Sequence, residues 1–251
     1  MAESVSFDRV ADVYDATRGG LTRGRRIAAD IAPSLVPGIT LEVGVGTGVV
    51  SRGLTELGHR MIGVDISQAM LAKAHARLGP VVARADASAL PVPGGRVGNV
   101  VFVHVLHLVA DMAAGIAEAA RVLRPGGRLV ALHGTPEPQT DDLAEVMAPV
   151  RQLRHTRPDD LDAVRGAGAR AGLRILRTGW STPSEFQEDP NGVAEMLRRR
   201  VFSWTWRLDD ATWERTAEPV IAALRGLPDP DVPRRRVVRT RLTVWERPRI
   251  P

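Results

Sequence analysis

The sequence contains no cysteine and one lysine, Lys73, among its 251 residues. The absence of cysteine excludes disulfide bonds and thiolate metal sites, and no metal site is expected. No apolar run is long enough to span a bilayer, and residues 1–4 lack the basic and then apolar order of a secretion signal. We therefore expect a cytoplasmic protein without a membrane-inserted segment.

The formal net charge of +5 rests almost entirely on arginine. A basic chain suggests a nucleic-acid partner, but these arginines are dispersed and form runs only at Arg198–Arg200 and Arg234–Arg236. A short basic run is more often a solvated face than a track for phosphates. The sequence therefore favours a small-molecule partner over a nucleic acid, and it leaves monomer and homodimer open.

The sequence does contain one stretch that joins a strand, a glycine-rich turn and a helix. The apolar run Ile39–Val43 includes Glu42 and is followed by Gly44, Gly46 and Gly48. Such a turn lets the backbone approach a ligand and points a helix N-terminus at it. A dinucleotide fingerprint would need glycine rather than valine at position 49, and a phosphate loop would need a lysine. The stretch therefore predicts a ligand that has no pyrophosphate and carries some positive charge.

Apolar strands alternate with amphipathic helices from position 39 onward. The predicted strands are 39–43, 60–64, 81–84, 97–103, 128–132, 173–180 and 237–246. The predicted helices are 47–57, 68–78, 111–123, 141–155 and 158–171. This alternation predicts an α/β fold with a doubly wound, mostly parallel seven-stranded sheet, whose last strand is antiparallel and at an edge.

Two segments fall outside this alternation. Residues 1–38 are expected to form an N-terminal helical cap, with one helix broken at Tyr14–Gly20 and a second over Thr22–Leu35. Residues 184–232 are expected to form an insert of two amphipathic helices within the 39–251 domain. The insert carries most of the tryptophans, which either line an apolar pocket for an acceptor or pack the insert itself.

Two aspartates follow the second and third predicted strands. Asp65 ends strand two, where a carboxylate accepts hydrogen bonds from ribose hydroxyls; the alternative is a helix cap, a role that Ser67 already fills. Asp86 follows strand three and suits an adenine amino group, although alone it would more often form a turn.

The glycine-rich turn and the two aspartates together resemble the class I S-adenosylmethionine-dependent methyltransferases. The resemblance is to the group that includes quinone-biosynthesis C-methyltransferases and many small-molecule methyltransferases, and it covers about residues 7–133. The stretches that look like family motifs are Glu42–Gly48, Gly63–Ser67 with Met70-Leu71, Asp86–Pro91 and Leu123–Leu129. It implies a Rossmann-like methyltransferase fold with S-adenosylmethionine as the cofactor.

The resemblance also assigns roles to individual residues. The implied cofactor-binding residues are Tyr14, Arg18, Glu42, Gly44, Val45, Gly46, Gly48, Asp65, Ile66, Met70, Asp86, Ala87 and His104. The backbone of the turn would hold the methionine portion, and Glu42 would face its positive end through water. The Ala87 N–H would bond an adenine ring nitrogen, while Ile66 and Met70 would pack on the ring. Tyr14 and Arg18, in a segment similar to one that closes over the cofactor, would reach its carboxylate.

Three histidines follow the predicted strands on the same side. His104 and His107 come after strand four, and His133 ends strand five. Each is a candidate general base because imidazole titrates near neutral pH, and the alternative is that they bond loop carbonyls. Strand four also departs from the family, since Gly98 stands where an acidic residue is usual, which puts local packing in question.

The predicted activity is methyl transfer to O, N or C of a small molecule by in-line displacement. This chemistry mainly asks the protein to align donor and acceptor and to exclude water. The alternatives are RNA methylation, suggested only by charge, and a non-catalytic cofactor-binding module. An NAD-dependent oxidoreductase is a third, disfavoured by valine at position 49.

Overall fold

The computed structural model describes residues 6–153 and 159–249. Nine strands occur in these residues: β1 Ile39–Val43, β2 Arg60–Asp65, β3 Val82–Arg84, β4 Val97–Val103, β5 Leu123–His133, β6 Arg174–Trp180, β7 Ser184–Glu188, β8 Arg234–Val238 and β9 Arg241–Glu246. Seven of them form one sheet in the order β3-β2-β1-β4-β5-β9-β6. Strands β1 to β5 are parallel, and β9 runs antiparallel between β5 and β6.

The helices in the described residues are α1 Ala11–Arg18, α2 Gly20–Ile31, α3 Val49–Glu56, α4 Gln68–Leu78, α5 Met112–Val122, α6 Asp142–Val146, α7 Ala148–Gln152, α8 Leu161–Arg170, α9 Pro190–Arg198, α10 Asp210–Thr212 and α11 Glu218–Arg225. Short 3-10 turns occur at Asp8–Val10, Ala32–Ser34, Leu106–Leu108 and Ser203–Arg207, and a π-helical turn occurs at Trp213–Ala217. No helix among these is both long and apolar enough to cross a membrane.

The large sheet is covered on both faces, as the apolar strands predict. Val100 and Phe102 of β4 share a core with α5 and α8. Val101, which points the opposite way because side chains alternate along a strand, shares a second core with α2 and α3. The predicted doubly wound, mostly parallel sheet is therefore confirmed.

The sequence predicts that the last strand lies at the edge of the sheet, but the structure places it inside the sheet. The predicted strand 237–246 is two strands, β8 and β9, separated at Arg239 and Thr240. Thr243 and Trp245 of β9 are fully buried, because β9 has β5 on one side and β6 on the other. Strand β6 forms the edge instead, and its first five residues are exposed.

The N-terminal segment also differs from prediction. Helix α1 continues through Tyr14 to Arg18 and is broken only at Gly19, which has a φ of 79°. Helix α2 packs on α3 so closely that a Cβ on Gly24 would collide with the Val49 backbone. Since α2 contributes to the core of the sheet, only α1 and the turn before it remain as a candidate cap.

The unusual glycine of strand four has a packing role. A Cβ on Gly98 would lie 2.9 Å from the Pro37 carbonyl oxygen. The next residue, Asn99, is fully buried and its amide exchanges two 2.8 Å hydrogen bonds with the Val36 backbone. Position 98 therefore lets the loop before β1 lie against β4.

The chain divides into two compact units. The sheet unit comprises the described parts of 1–135, 158–181 and 240–251, and the helical unit those of 136–157 and 182–239. The helical unit is more than the predicted pair of helices, because it begins its second segment with β7, paired to β8. The predicted helix 141–155 is two helices, α6 and α7, up to position 152; positions 154–158 lie outside the described residues.

Candidate functional site

The glycine-rich turn sits at the carboxyl edge of the parallel strands. Gly44 and Val45 both donate backbone hydrogen bonds to the Val64 carbonyl of β2, at 2.8 and 2.9 Å. A Cβ on Gly44, whose φ is 74°, would collide with Val105, just after β4. The turn is thus enclosed between the ends of β2 and β4, where ligands bind in open α/β sheets.

Gly46 at the tip of this turn faces open space. Its φ is 55°, which favours glycine, and a Cβ built on it would meet no atom within 4 Å. At Gly44 the neighbouring protein excludes a side chain, whereas at Gly46 nothing in the described structure does. A ligand can therefore approach the backbone at Gly46.

Asp65 ties the turn to the second strand. Its Oδ2 accepts from Gly46 N at 2.8 Å and its Oδ1 from Ser67 N at 2.9 Å. Burial raises the pKa of Asp65, although these backbone hydrogen bonds act to lower it. The nearby Asp8 raises it further. Each carboxylate oxygen has two lone pairs, so Asp65 retains capacity to accept from a ligand. Ser67 caps α4 by accepting from Met70 N at 3.1 Å, as predicted.

Glu42 lies beneath the turn in β1. Its side chain is buried, and Ser51 of α3 donates its hydroxyl to Glu42 Oε2 at 2.5 Å. Burial raises the pKa of Glu42 to about 8 despite this hydrogen bond, and the neighbouring Asp65 adds to the rise. The group is therefore mostly protonated at neutral pH without a ligand, and a positive charge nearby would favour its ionised form.

The predicted adenine contacts lie beside Asp65. Ala85 N donates to the Asp65 carbonyl at 3.1 Å, so the ends of β2 and β3 are adjacent. Asp86 accepts from the Ser88 backbone N–H at 2.8 Å and from the Ser88 hydroxyl at 2.6 Å. These contacts are the ones expected if Asp86 forms a turn. The side chains of Ala87 and Met70 are both buried, at 8% and 2% exposure. Met70 therefore packs α4 against the protein interior, and its contact with adenine stays a prediction.

Three aspartates of the N-terminal segment, Asp8, Asp12 and Asp15, contact successive residues at the start of and along α4. We call this series of polar contacts the ladder; the sequence analysis did not predict it. Asp8 accepts from the Ser67 hydroxyl at 2.6 Å and from Ala69 N at 2.9 Å. Hydrogen bonds from Ser67, then Ser6, then the Ala69 N–H lower the pKa of Asp8 to about 2. Asp12 pairs with Lys73 at 3.0 Å. The spacing of aspartates at 8, 12 and 15 places them on one helical face, which was the available signal.

The third rung of this ladder reaches the glycine-rich turn. Asp15 accepts from Arg77 Nη2 at 2.8 Å and from the Thr47 hydroxyl at 2.6 Å. Arg77 also donates to the Thr47 carbonyl. Tyr14 stands edge-on to Phe7, with ring centroids 5.8 Å apart. Helix α1 is thus held against the turn by these contacts, and its role in covering a ligand stays a prediction.

The three histidines have different surroundings. His104 has a φ of 54°, which is uncommon for a residue with a Cβ, and its N donates to the Leu132 carbonyl at 2.9 Å. His107 Nδ1 lies 3.6 Å from Oδ2 of Asp159, a fully buried residue. His133 does not open onto the site, contrary to prediction: it is fully buried, with Nδ1 3.0 Å from the Asp159 carbonyl and Nε2 2.9 Å from the Thr243 hydroxyl.

Asp159 was missed by the sequence analysis. It directly precedes Asp160, which caps α8 by accepting from Ala163 N at 2.8 Å, so the pair reads as ordinary loop acids. Its proximity to His107 depends on a contact between positions 52 apart. Across residues 6–153 and 159–249, no three His, Asp or Glu residues are grouped to hold a metal ion.

Part of the chain matches known proteins in sequence. Residues 41–131 match the family described as methyltransferase domain. Demethylmenaquinone methyltransferase of Thermus thermophilus is 37% identical over 145 residues, which cover 53% of this chain and 66% of that protein. The enzyme of the same name from Mycolicibacterium gilvum is 40% identical over 129 residues, covering 49% and 56%. The matches thus span about half to two thirds of the relatives.

Solved structures share the fold at low sequence identity. Phosphoethanolamine N-methyltransferase 2 of Haemonchus contortus, in complex with S-adenosyl-L-methionine, has a TM-score of 0.57 at 17% identity, covering 96% of this chain and 57% of that one. The cyclase SpnF has a TM-score of 0.59 at 17% identity, covering 96% and 93%. In its motifs and sheet order the chain is similar to the class I S-adenosylmethionine-dependent methyltransferases, and residues 41–131 match a methyltransferase domain.

Proposed function

We propose that this protein transfers the methyl group of S-adenosylmethionine to a small-molecule acceptor by in-line displacement. The observation that carries the proposal is the bond between Asp65 and Gly46 beside open space at the tip of the turn. It puts an acceptor-only carboxylate and an unobstructed backbone next to each other. A nucleoside with an amino acid tail needs both, one for the ribose and one for the tail.

The residues present fit this cofactor. Asp65 would take the ribose hydroxyls and Asp86 the adenine amino group, since both follow adjacent strands. The backbone from Gly44 to Gly46 would hold the methionine portion, with Arg18 and Tyr14 at its carboxylate. The buried Glu42 supports this assignment, because a positively charged ligand offsets the cost of ionising a carboxyl beneath the turn.

When bound, the cofactor supplies a methyl carbon already activated for displacement. The protein's own task is therefore to align the acceptor and to exclude water. The contacts of Asp8 and Asp15 hold the N-terminal segment across the turn and the start of α4. We assign to this segment the exclusion of water during transfer.

The acceptor is proposed to be a partly apolar molecule of the hydroquinone class. Relatives at 37% and 40% identity are named demethylmenaquinone methyltransferases. We assign acceptor selection to the helical unit, including 184–232. Its aromatic residues pack mainly into its own core, with Phe202 and Trp204 stacked at 5.9 Å.

The charge distribution favours a small molecule over RNA. Each arginine of the run at 234–236 pairs with a carboxylate: Arg234 with Asp142, Arg235 with Glu185 and Arg236 with Asp141. Paired arginines are poorly placed to neutralise phosphates. RNA methylation stays an alternative that predicts affinity falling steeply with salt. The predicted cytoplasmic location and the monomer or homodimer state stay predictions.

A non-catalytic or differently catalytic protein of the same fold is the other alternative, since SpnF is a cyclase with this fold. Calorimetry with S-adenosylmethionine, and with NAD as the negative ligand, tests the cofactor first. We expect Asp65→Ala to weaken cofactor binding about 100-fold, because charge-assisted hydrogen bonds to the ribose are lost. Asp111→Ala is the matched control, since Asp111 caps α5 through Ala114 N.

Three outcomes separate the alternatives. Absence of heat with S-adenosylmethionine would reject the cofactor assignment. Equal affinities of the Asp65→Ala and Asp111→Ala proteins would reject the ribose role of Asp65. Tight binding without S-adenosylhomocysteine formation from naphthohydroquinone, amine or carboxylate acceptors would support the non-catalytic module instead.

A further inference from the structure

Asp159 is a buried carboxylate for which the proposed cofactor site gives no role. It is fully buried, and its Oδ2 accepts from Gly134 N at 2.9 Å. A buried carboxylate is costly unless it is hydrogen-bonded and paired. The same oxygen lies 3.6 Å from Nδ1 of His107, so this imidazole is within ion-pair distance of the carboxylate.

Asp159 is contacted through its backbone as well as through its carboxylate. Its backbone carbonyl lies 3.0 Å from Nδ1 of His133. A carbonyl only accepts, so Nδ1 of His133 is a donor to it, and Nε2 of His133 lies 2.9 Å from the Thr243 hydroxyl. His133 thereby links β9 to the backbone of Asp159. The carboxylate, fixed at its backbone and at Oδ2, presents a constant position to His107.

His107 differs from His133 in its access to solvent. Its side chain is 22% exposed, and it lies in the 3-10 turn Leu106–Leu108 after β4. This turn follows Val105, which contacts the glycine-rich turn at Gly44. A partly exposed imidazole with a buried carboxylate at Nδ1 is the arrangement of base and orienting group found in acid–base catalysis.

We infer that Asp159 is a positioning residue that holds the Nδ1–H of His107, so that Nε2 serves as a general base toward an acceptor with an acidic O–H or a conjugated C–H. This inference rests on the proposed methyl transfer and narrows its acceptor to those that must lose a proton. A phenol or hydroquinone belongs to that class, whereas a neutral amine, which attacks through an existing lone pair, does not.

The step balances with the sulfonium donor of the proposed function. The acceptor's proton passes to Nε2 of His107, and the electron pair left on oxygen or carbon forms the bond to the methyl carbon. The carbon–sulfur bond breaks with its pair on sulfur, giving the neutral thioether. His107 then returns its proton to water.

The first test reads the histidine itself and needs neither cofactor nor acceptor. Nitrogen-15 shifts of labelled imidazoles in the full-length protein, near pH 8, report which ring nitrogen carries the proton. We expect His107, assigned with His107→Gln, to carry it on Nδ1. In Asp159→Asn this tautomer should lose its predominance, because a neutral amide replaces the carboxylate. Asp160→Asn is the matched control, because asparagine caps a helix as well as aspartate does.

The second test is kinetic, with naphthohydroquinone as the acceptor. We expect His107→Gln and Asp159→Asn to lower kcat about 100-fold or more near neutral pH, with the cofactor Kd unchanged by calorimetry. The loss should shrink as pH rises, because the acceptor then ionises unaided. A purely structural role of Asp159 would give no such recovery with pH.

The inference is overturned if the His107 tautomer is the same in wild type and Asp159→Asn, or if kcat of Asp159→Asn stays within twofold of Asp160→Asn. If Asp159→Asn fails to fold, two results still decide: a wild-type His107 protonated on Nε2 rather than Nδ1, or an unchanged kcat in His107→Gln, overturns the inference. A wild-type protein that binds no S-adenosylmethionine would instead defeat the proposed function, while leaving the tautomer result readable.

Discussion

Replacing Glu42 by glutamine removes a buried acid whose ionisation opposes folding. The pKa of Glu42 rises from 4.5 to about 8 because the side chain is buried. Between these values the folded protein binds more protons than the unfolded chain, so stability falls as pH rises. Each pKa unit is worth about 1.4 kcal/mol, so the full loss approaches about 5 kcal/mol, and about half of it falls between pH 5 and 7.

Glutamine is the closest neutral mimic of the protonated carboxyl, and its oxygen can still accept from the Ser51 hydroxyl. We therefore expect Glu42→Gln to become more stable relative to wild type as pH rises. The assay is urea unfolding of the ligand-free protein at pH 5, 6, 7 and 8, with equal m-values required. The measured quantity is the change with pH in the difference between the two proteins, which cancels other titrating groups.

Ser51→Ala provides the matched control. The Ser51 hydroxyl bond lowers the pKa of Glu42, so its removal should carry the pH-dependent loss of stability beyond pH 8. The reasoning is refuted if the difference between wild type and Glu42→Gln stays constant from pH 5 to 8. A flat difference would mean that Glu42 is ionised in the folded protein throughout this range.

Two further substitution pairs test the turn and the N-terminal segment. Gly44→Ala should destabilise the fold by several kcal/mol, because the new methyl group collides with Val105. Gly46→Ala should cost only about 1–2 kcal/mol at its positive φ, and its main effect should be weaker cofactor binding. Thermal unfolding measures the first effect and calorimetry the second, and equal results for the two variants would contradict this prediction. Arg77→Gln should speed proteolysis of the N-terminal segment about fivefold, because a part-buried ion pair with Asp15 is lost. Lys73→Gln should change the cleavage rate little, because its partner Asp12 is exposed. Equal cleavage rates in the two variants would show that the contact between Arg77 and Asp15 does not hold the segment in place.

The ends of the parallel strands were predictable because their signals are local. An apolar run followed by glycine or aspartate marks both the strand and the residue that its carboxyl end presents. Asp65 and Ser67 illustrate this, since the cap of α4 and the acid beside the turn can be assigned within five positions of sequence. The family motifs have the same local character, and most of them lie within residues 41–131, which match a methyltransferase domain.

Features that depend on distant partners were not predictable. Strand β9 looks like an edge strand because its sequence alternates, yet it is buried because the chain returns between β5 and β6. His133 and His107 look alike in sequence as histidines after strands. Their difference depends on distant partners: His133 is buried between Asp159 and Thr243, whereas His107 lies beside Asp159 and stays partly exposed.

The sequence by itself determined the order of strands and helices, the glycine-rich turn and the acidic residues at the strand ends, because period and turn chemistry act over a few residues. Tertiary structure alone decided that Glu42 is a buried acid, that three aspartates of the N-terminal segment bind α4, and that Asp159 lies beside His107. Burial and electrostatic pairing depend on which surfaces meet, and those are set by the packing of the whole sheet unit.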